Sequence, residues 1–267
     1  VATTTSRDGT IIAYDTTGDG PALILVAGAF QDRRAMAAYA TPLADHFTVH
    51  TYDRRGRGDS GDTQPYAVER EIEDLAALIE VAGGRAFVFG GSSGAALALD
   101  AVEHGLNIPA LALYEPPFVV DGSRPPVPDD LVAELTKLIA DGRRGDAAEL
   151  YLTRGANMST DDVAGMRAAP FWGPSVEAAA PTLVYDAMIM DGTMTGGPLP
   201  VDRWTRVTVR TLIINGTDSF PYVDAATAAL AALLPNAERT TLTGERHDVL
   251  PETLAPVMTE FFRPRQL

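Results

Sequence analysis

Short, nearly continuous apolar runs alternate along the chain with stretches whose apolar residues recur every three or four positions. The runs at 11–15, 22–26, 47–53, 86–89, 110–114, 209–215 and 239–242 are read as strands. Most lack the polar–apolar alternation of a sheet with one wet face, so they suit strands covered on both faces of a parallel sheet. Between them, 67–81 places Ile72, Leu75, Ala76 and Ile79 at helical spacing with acids between. Further helices are expected at 95–103, 222–234 and 251–262, the last opening on Pro251, which fits the first turn of a helix. Alternation of strand and helix predicts an α/β fold with a mostly parallel, doubly wound sheet.

The rhythm breaks between 118 and 204, where no strand pattern appears. A Pro-rich stretch at 121–130 is followed by helical patterns at 131–140 and 147–152, and then by Phe171, Trp172, Met188, Met190 and Met194. Both ends of this segment adjoin strands of one sheet. It is therefore expected to be a helical cap inserted into a single core made of 1–117 and 205–267, not an independent domain. Its aromatic and methionine residues fit either the lid of an apolar pocket or the cap's own core.

Composition narrows the functional classes. With 46% hydrophobic and 21% charged residues, the 267-residue chain has the balance of a globular protein. It carries 21 basic against 36 acidic residues, a net charge of −15, which argues against a grip on nucleic acid or an anionic membrane. Only one basic residue, Lys137, is a lysine, a bias that fits GC-rich coding or a salt-adapted surface and is silent on chemistry. The absence of cysteine removes disulfides, thiolate catalysis and thiolate metal sites. The four histidines are scattered without ligand spacing, so no metal is expected. No run is apolar enough to span a membrane, and residues 1–10 are polar with no signal-peptide core, so a cytoplasmic location is expected.

The sharpest chemical signal is Gly90-Gly91-Ser92-Ser93-Gly94, a G-x-S-x-G between an expected strand and an expected helix. A strand that turns directly into a helix strains the residue at the apex, and small neighbours let the backbones approach. In that register Ser92 is the candidate nucleophile, projecting from the carboxyl end of the sheet beside a helix N-terminus. The competing reading is a glycine-rich turn with Ser93 as a helix cap. The spacing and lysine of a phosphate-binding loop are missing.

These residues make the chain resemble the α/β-hydrolase fold superfamily, over nearly its whole length. A second element, Asp53-Arg54-Arg55-Gly56-Arg57-Gly58-Asp59-Ser60, is similar to the loop after an early strand in esterase-like and cofactor-free-haloperoxidase-like members. It is read as structural, with Arg54 and Arg57 bracing the site; direct substrate binding by either is the alternative. The resemblance implies an α/β-hydrolase fold and a serine nucleophile with a histidine base and an acid. His247, after the last strand, stands at the family's base position, whereas His46 and His50 precede the elbow and His104 lies about three turns along the following helix. For the acid, the family's usual slot after the penultimate strand holds Ser219, with Asp218 one residue early. Glu115, at the end of the strand after the nucleophile helix, is the rival, because some members carry the acid there. Asp248 is a third choice. The spacing leans to Glu115.

The oxyanion donors implied are the backbone N–H groups of Ser93 and of Ala29, in a loop where Ala27 replaces the family's usual histidine. Phe30, Phe118 and Trp172 are candidate pocket walls. The expected activity is hydrolysis of an ester, thioester or lactone, with a small apolar or amphipathic carbonyl substrate and no cofactor. Carbon–carbon bond hydrolysis, a lyase or perhydrolase reaction on the same residues, or a hydrolase-fold binding protein are the alternatives. A serine at the apex speaks against the aspartate-dependent epoxide hydrolases and dehalogenases of this fold.

Overall fold

The computed structural model describes residues 1–263, so the last four residues of the expected core span lie outside the described residues. The described residues form one eight-stranded sheet in the order β1-β2-β4-β3-β5-β6-β7-β8. Its strands are β1 (Ala2–Thr5), β2 (Ile11–Thr17), β3 (Ala22–Val26), β4 (Thr48–Tyr52), β5 (Phe87–Gly91), β6 (Ala110–Tyr114), β7 (Arg210–Gly216) and β8 (Ala237–Leu242). From β4 to β8 across the sheet every pairing is parallel, while β1 and β2 add an antiparallel edge.

The continuous apolar runs are explained by what covers them. In β3, Ile24 and Val26 point into one core cluster and Leu23 and Leu25 into the other; β6 divides Leu111 and Leu113 from Ala110, Ala112 and Tyr114 in the same way. The first cluster is closed by α2 (Val68–Val81), α3 (Ser93–Glu103) and α8 (Val223–Leu233). The second is closed by α1 (Arg33–Leu43) and α9 (Pro251–Phe262). Period-two alternation of direction with no change of polarity is the signature of a sheet wet on neither face.

Two elements departed from the sequence pattern. β1 is Ala-Thr-Thr-Thr, mostly exposed, and pairs with β2 by backbone alone, Ala2 opposite Tyr14, so it carries no apolar signal. α1 is alanine-rich and contains Pro42; it is started by Asp32, whose side chain accepts from the N–H groups of Arg34 and Ala35. Only Met36, Ala40 and Leu43 mark its apolar buried face.

Between β6 and β7 the described residues hold α4 (Leu131–Ala140), α5 (Arg144–Leu150), a π-helical turn at Tyr151–Gly155, α6 (Thr160–Arg167) and α7 (Leu183–Ile189). This segment has small clusters of its own, one around Leu152, Trp172 and Leu183 and another around Leu131 and Leu135. Its two ends are built into the main core instead: Phe118 stacks on Trp204 at 5.3 Å between ring centres, in the cluster that holds α3. Among the described residues no helix is long and apolar enough to cross a membrane.

Candidate active site

Strand β5 ends at Gly91 and α3 starts at Ser93, leaving Ser92 alone to make the turn at φ 54°, ψ −126°. A non-glycine residue at positive φ is costly and persists only where its surroundings fix it. Here the Ser92 N–H is tied to the Tyr114 carbonyl at 2.8 Å. The flanking glycines are required by space: a Cβ on Gly90 would sit 2.5 Å from the Gly94 carbonyl oxygen, and one on Gly94 2.5 Å from that of Val26. The turn leaves Ser92 on the wall of a cavity of about 310 Å³, at the start of α3, where the first helical N–H groups have no partner inside the helix.

A second strained residue, Glu115 at φ 46°, directly follows β6. Its N–H extends the ladder to the Ile214 carbonyl, and its carboxylate is wholly buried. Oε1 accepts from the Gly216 N–H at 2.8 Å, and Oε2 accepts from the Ser219 hydroxyl at 2.6 Å and from His247 Nδ1 at 2.7 Å. A carboxylate only accepts, so Nδ1 carries the hydrogen, and in the neutral imidazole Nε2 keeps its lone pair. Three donors, one of them a ring N–H, offset the loss of water around the buried charge.

Asp218 does not reach this place. It is exposed, its carboxylate accepts from the Thr217 hydroxyl at 2.9 Å, and its N–H binds the Glu245 carbonyl. The loop after Gly216 brings the next residue inward, so Ser219 takes the inward position and meets Glu115. Asp248 is likewise exposed at the cavity edge, and His247 turns its Nδ1 to Glu115 instead.

The loop that carries His247 is pinned from three sides. The Tyr39 hydroxyl donates to the Val249 carbonyl at 2.8 Å, the Tyr114 hydroxyl donates to the Arg246 carbonyl, and Glu245 Oε2 accepts from the Leu250 N–H at 2.9 Å. Burial, with the Glu115 carboxylate adding to it, pushes the Tyr114 hydroxyl up; burial and then Asp248 and Glu245 push Tyr39 up. Both phenols therefore stay protonated as donors at neutral pH. The imidazole also rests against Phe220, 5.4 Å between ring centres.

Opposite Ser92 lies the loop after β3. Ala29, Phe30 and Gln31 line the same cavity, Phe30 at φ 63° and edge-on to Tyr151 at 5.7 Å. Gln31 Oε1 accepts from the Gly28 N–H at 3.1 Å.

A model of the alpha/beta hydrolase family matches residues 23–257, which covers β3 to α9. The chain belongs to the alpha/beta hydrolase family. A crystal structure of an alpha/beta hydrolase from Sphaerobacter thermophilus DSM 20745 is 50% identical, with a TM-score of 0.91, over 98% of this chain and 100% of that one. A thermophilic esterase from Thermogutta terrifontis shares the fold at 22% identity and a TM-score of 0.74, over 98% of this chain and 97% of that one. The uncharacterized hydrolase YraK of Bacillus subtilis (strain 168) is 35% identical over 113 residues, 40% of this chain. That match spans only 42% of YraK's length.

Within this alpha/beta hydrolase, two expected pocket walls are placed elsewhere. Phe118 is fully buried in the main core, held by Trp204, because the chain leaves the sheet there and needs a large apolar plug. Trp172 packs inside the segment's own cluster and donates from Nε1 to Glu177 at 2.9 Å. Tyr151, Met158, Met190 and Tyr222 face the cavity instead.

Arg54 and Arg57 do not line the cavity; they brace it from behind. Arg54 spans Glu71, at 2.6 and 2.7 Å, and Asp186 Oδ1, at 2.7 Å. Arg57 donates to the carbonyls of Gly28, at 2.5 Å, and Gln31, at 3.1 Å, and to Asp186 Oδ2 at 2.7 Å. Burial of Asp186 pushes its carboxyl up, but Arg57 and Arg54, with the Ser93 hydroxyl, outweigh it and hold it below the usual carboxylate value. A lone acid in a helical stretch gives no sequence signal of such a role. Among the described residues no group of three or more histidine and acidic side chains is placed to hold a metal ion.

Proposed function

We propose that the protein is a serine hydrolase that cleaves an uncharged carboxylic ester, thioester or lactone through an acyl-enzyme. The observation that carries this reading is the 2.7 Å bond from His247 Nδ1 to a fully buried Glu115, with Ser92 on the wall of the same cavity at a strained strand–helix apex. Ser92 Oγ attacks the carbonyl carbon as His247 Nε2 takes its proton, and Glu115 holds the imidazolium that forms. The developing oxyanion meets the N–H groups of Ser93 and Ala29. Collapse expels the alcohol or thiol with the proton from His247. Water, deprotonated by the same nitrogen, then releases the acid and restores the Ser92 hydroxyl. The segment 118–204 acts as a cap, lending Tyr151, Met158 and Met190 to the wall above the reacting carbon.

The lining supports the restriction to uncharged substrates. It is mainly apolar, and its fixed charges are the carboxylates Asp129, Asp191 and Asp248; among the described residues no lysine or arginine lines it. Arg124 is buried with its guanidinium over the Tyr222 ring, and it donates to the carbonyls of Pro125, Gly155 and Arg154. A carboxylate on the substrate would meet like charge with no cation to receive it. These carboxylates are exposed, so each one about 4 Å away costs on the order of 1 kcal/mol at a water-like dielectric.

The test is direct. A fluorophosphonate should label wild-type protein at Ser92, and the protein should turn over p-nitrophenyl esters or lactones in a panel of graded chain length. Mono-p-nitrophenyl succinate should show kcat/KM about tenfold or more below that of p-nitrophenyl butyrate, and added salt should narrow the gap. Equal or preferred use of the anionic ester would sink the charge argument; failure of labelling would sink the serine mechanism.

A further inference from the structure

Asp186 lies on α7, within the helical segment, yet its carboxylate meets the core immediately behind both proposed oxyanion donors. Oδ1 accepts from the Ser93 hydroxyl at 2.7 Å, and Ser93 is the first residue of α3, whose backbone N–H has no partner within the helix. Oδ2 accepts from Arg57 Nη2 at 2.7 Å, and Arg57 Nη1 donates to the Gly28 carbonyl at 2.5 Å. The Gly28–Ala29 peptide is trans, so its N–H, that of Ala29, points opposite to the carbonyl that Arg57 holds. Fixing that oxygen fixes the direction of the Ala29 N–H. A cation on the oxygen also draws electron density from the amide and makes the N–H a stronger donor.

We infer that Asp186 is a positioning residue that sets both halves of the oxyanion site at once, through the Ser93 hydroxyl on one side and through Arg57 and the Gly28–Ala29 peptide on the other. The inference rests on the serine-hydrolase reading of the same site. Asp186 is fully buried, and Glu71, Arg54 and Arg57 in the same cluster are almost so. Two guanidiniums against two carboxylates leave the cluster without formal charge, so its action is to aim donors, not to project a field. Four elements meet in it: α2 through Glu71, the loop after β4 through Arg54 and Arg57, α3 through Ser93 and α7 through Asp186. Seating of α7 on the core thereby becomes a condition for a formed oxyanion site, and the helical segment takes part in catalysis without touching the reacting atoms.

The experiment compares wild type with Asp186→Asn, Arg57→Lys and Ser93→Ala in the full chain. Rates are read on a neutral p-nitrophenyl ester, and inhibition is read with two ketones of the same chain length. A trifluoromethyl ketone adds Ser92 Oγ to its carbonyl carbon, passes the serine proton to His247 and leaves an oxyanion in the site; the methyl ketone only occupies the pocket. Loss of one oxyanion donor costs about 10²- to 10³-fold in kcat, so misaiming without loss should cost Asp186→Asn about ten- to a hundredfold. KM should stay within about threefold, the trifluoromethyl ketone should weaken by the same factor as kcat, and the methyl ketone should be unaffected. Arg57→Lys and Ser93→Ala each keep one arm of the clamp and should lose about three- to tenfold with the same selectivity between the ketones. A folded Asp186→Asn with wild-type kcat, or equal weakening of both ketones, overturns the inference. If Asp186→Asn does not fold, wild-type kcat in both of the other variants overturns it. A wild type labelled at Ser92 with an insensitive Asp186→Asn removes this inference alone; a wild type that is not labelled removes the serine reading and this with it.

Discussion

Ser92→Ala is expected to lower kcat by about 10⁴- to 10⁶-fold, in line with removal of the nucleophile from serine-protease sites, and to abolish fluorophosphonate labelling. The fold should be untouched. Alanine keeps the Cβ, the backbone bond from residue 92 to the Tyr114 carbonyl does not use the side chain, and the strained φ of 54° is no worse for alanine than for serine. What remains is the water reaction assisted by oxyanion donors and by His247, which retains its bond to Glu115. Thermal denaturation of the variant beside wild type separates loss of chemistry from loss of structure. A collapse of activity in Ser93→Ala with Ser92→Ala unaffected would place the nucleophile one residue later and overturn the elbow register.

Glu115→Gln should lower kcat by about 10⁴-fold, the cost of amide replacement of the orienting acid in serine proteases, whereas Asp218→Asn should stay within about threefold of wild type. Glu115 receives hydrogens on both oxygens, from Gly216 on one and from Ser219 and His247 on the other. An amide has one acceptor. If its oxygen faces His247, its NH₂ collides with the Gly216 N–H and stability falls by about 1–3 kcal/mol for the unpaired donors. If it flips, the NH₂ faces Nδ1, forces the hydrogen of the imidazole onto Nε2, and leaves His247 without a lone pair toward Ser92. Stopped-flow or steady-state rates on the folded fraction of each variant decide the matter. The reverse ranking would return the acid to the strand before α8 and reduce Glu115 to a structural strand end.

The fold was legible because its central strands are apolar on both sides, and a pattern with no alternation has few other homes. β1 was not, because a strand that buries nothing leaves its reason for pairing in the backbone. The elbow was legible because strain and close approach demand glycines at 90 and 94, and such demands are local. The choice between Glu115 and Asp218 was only half legible: it turns on which of two successive loop residues points inward, a matter of a single peptide rotation after Gly216. Phe118 and Trp172 pass for pocket walls in the sequence because an aromatic residue near a site and one in a core look the same in one dimension. Asp186 left no trace, since its partners are 93, 54 and 57 and nothing in its own neighbourhood announces them.

A buried carboxylate directly after β6 changes how this scaffold can vary. The turn after β7, which in the usual arrangement must present an acid to the imidazole, here contributes only the Ser219 hydroxyl to that contact, while Phe220 and Tyr222 face the cavity. Among the described residues, none of its side chains except Ser219 and Phe220 makes a hydrogen bond or ring contact with Glu115 or His247. On the serine-hydrolase reading, diversification can reshape that side of the chamber for a new acyl or alcohol group while Ser92 and Glu115 stay anchored after two neighbouring central strands, and a library confined to 221 and 222, which keeps Ser219 and Phe220, would sample selectivity at little risk to turnover.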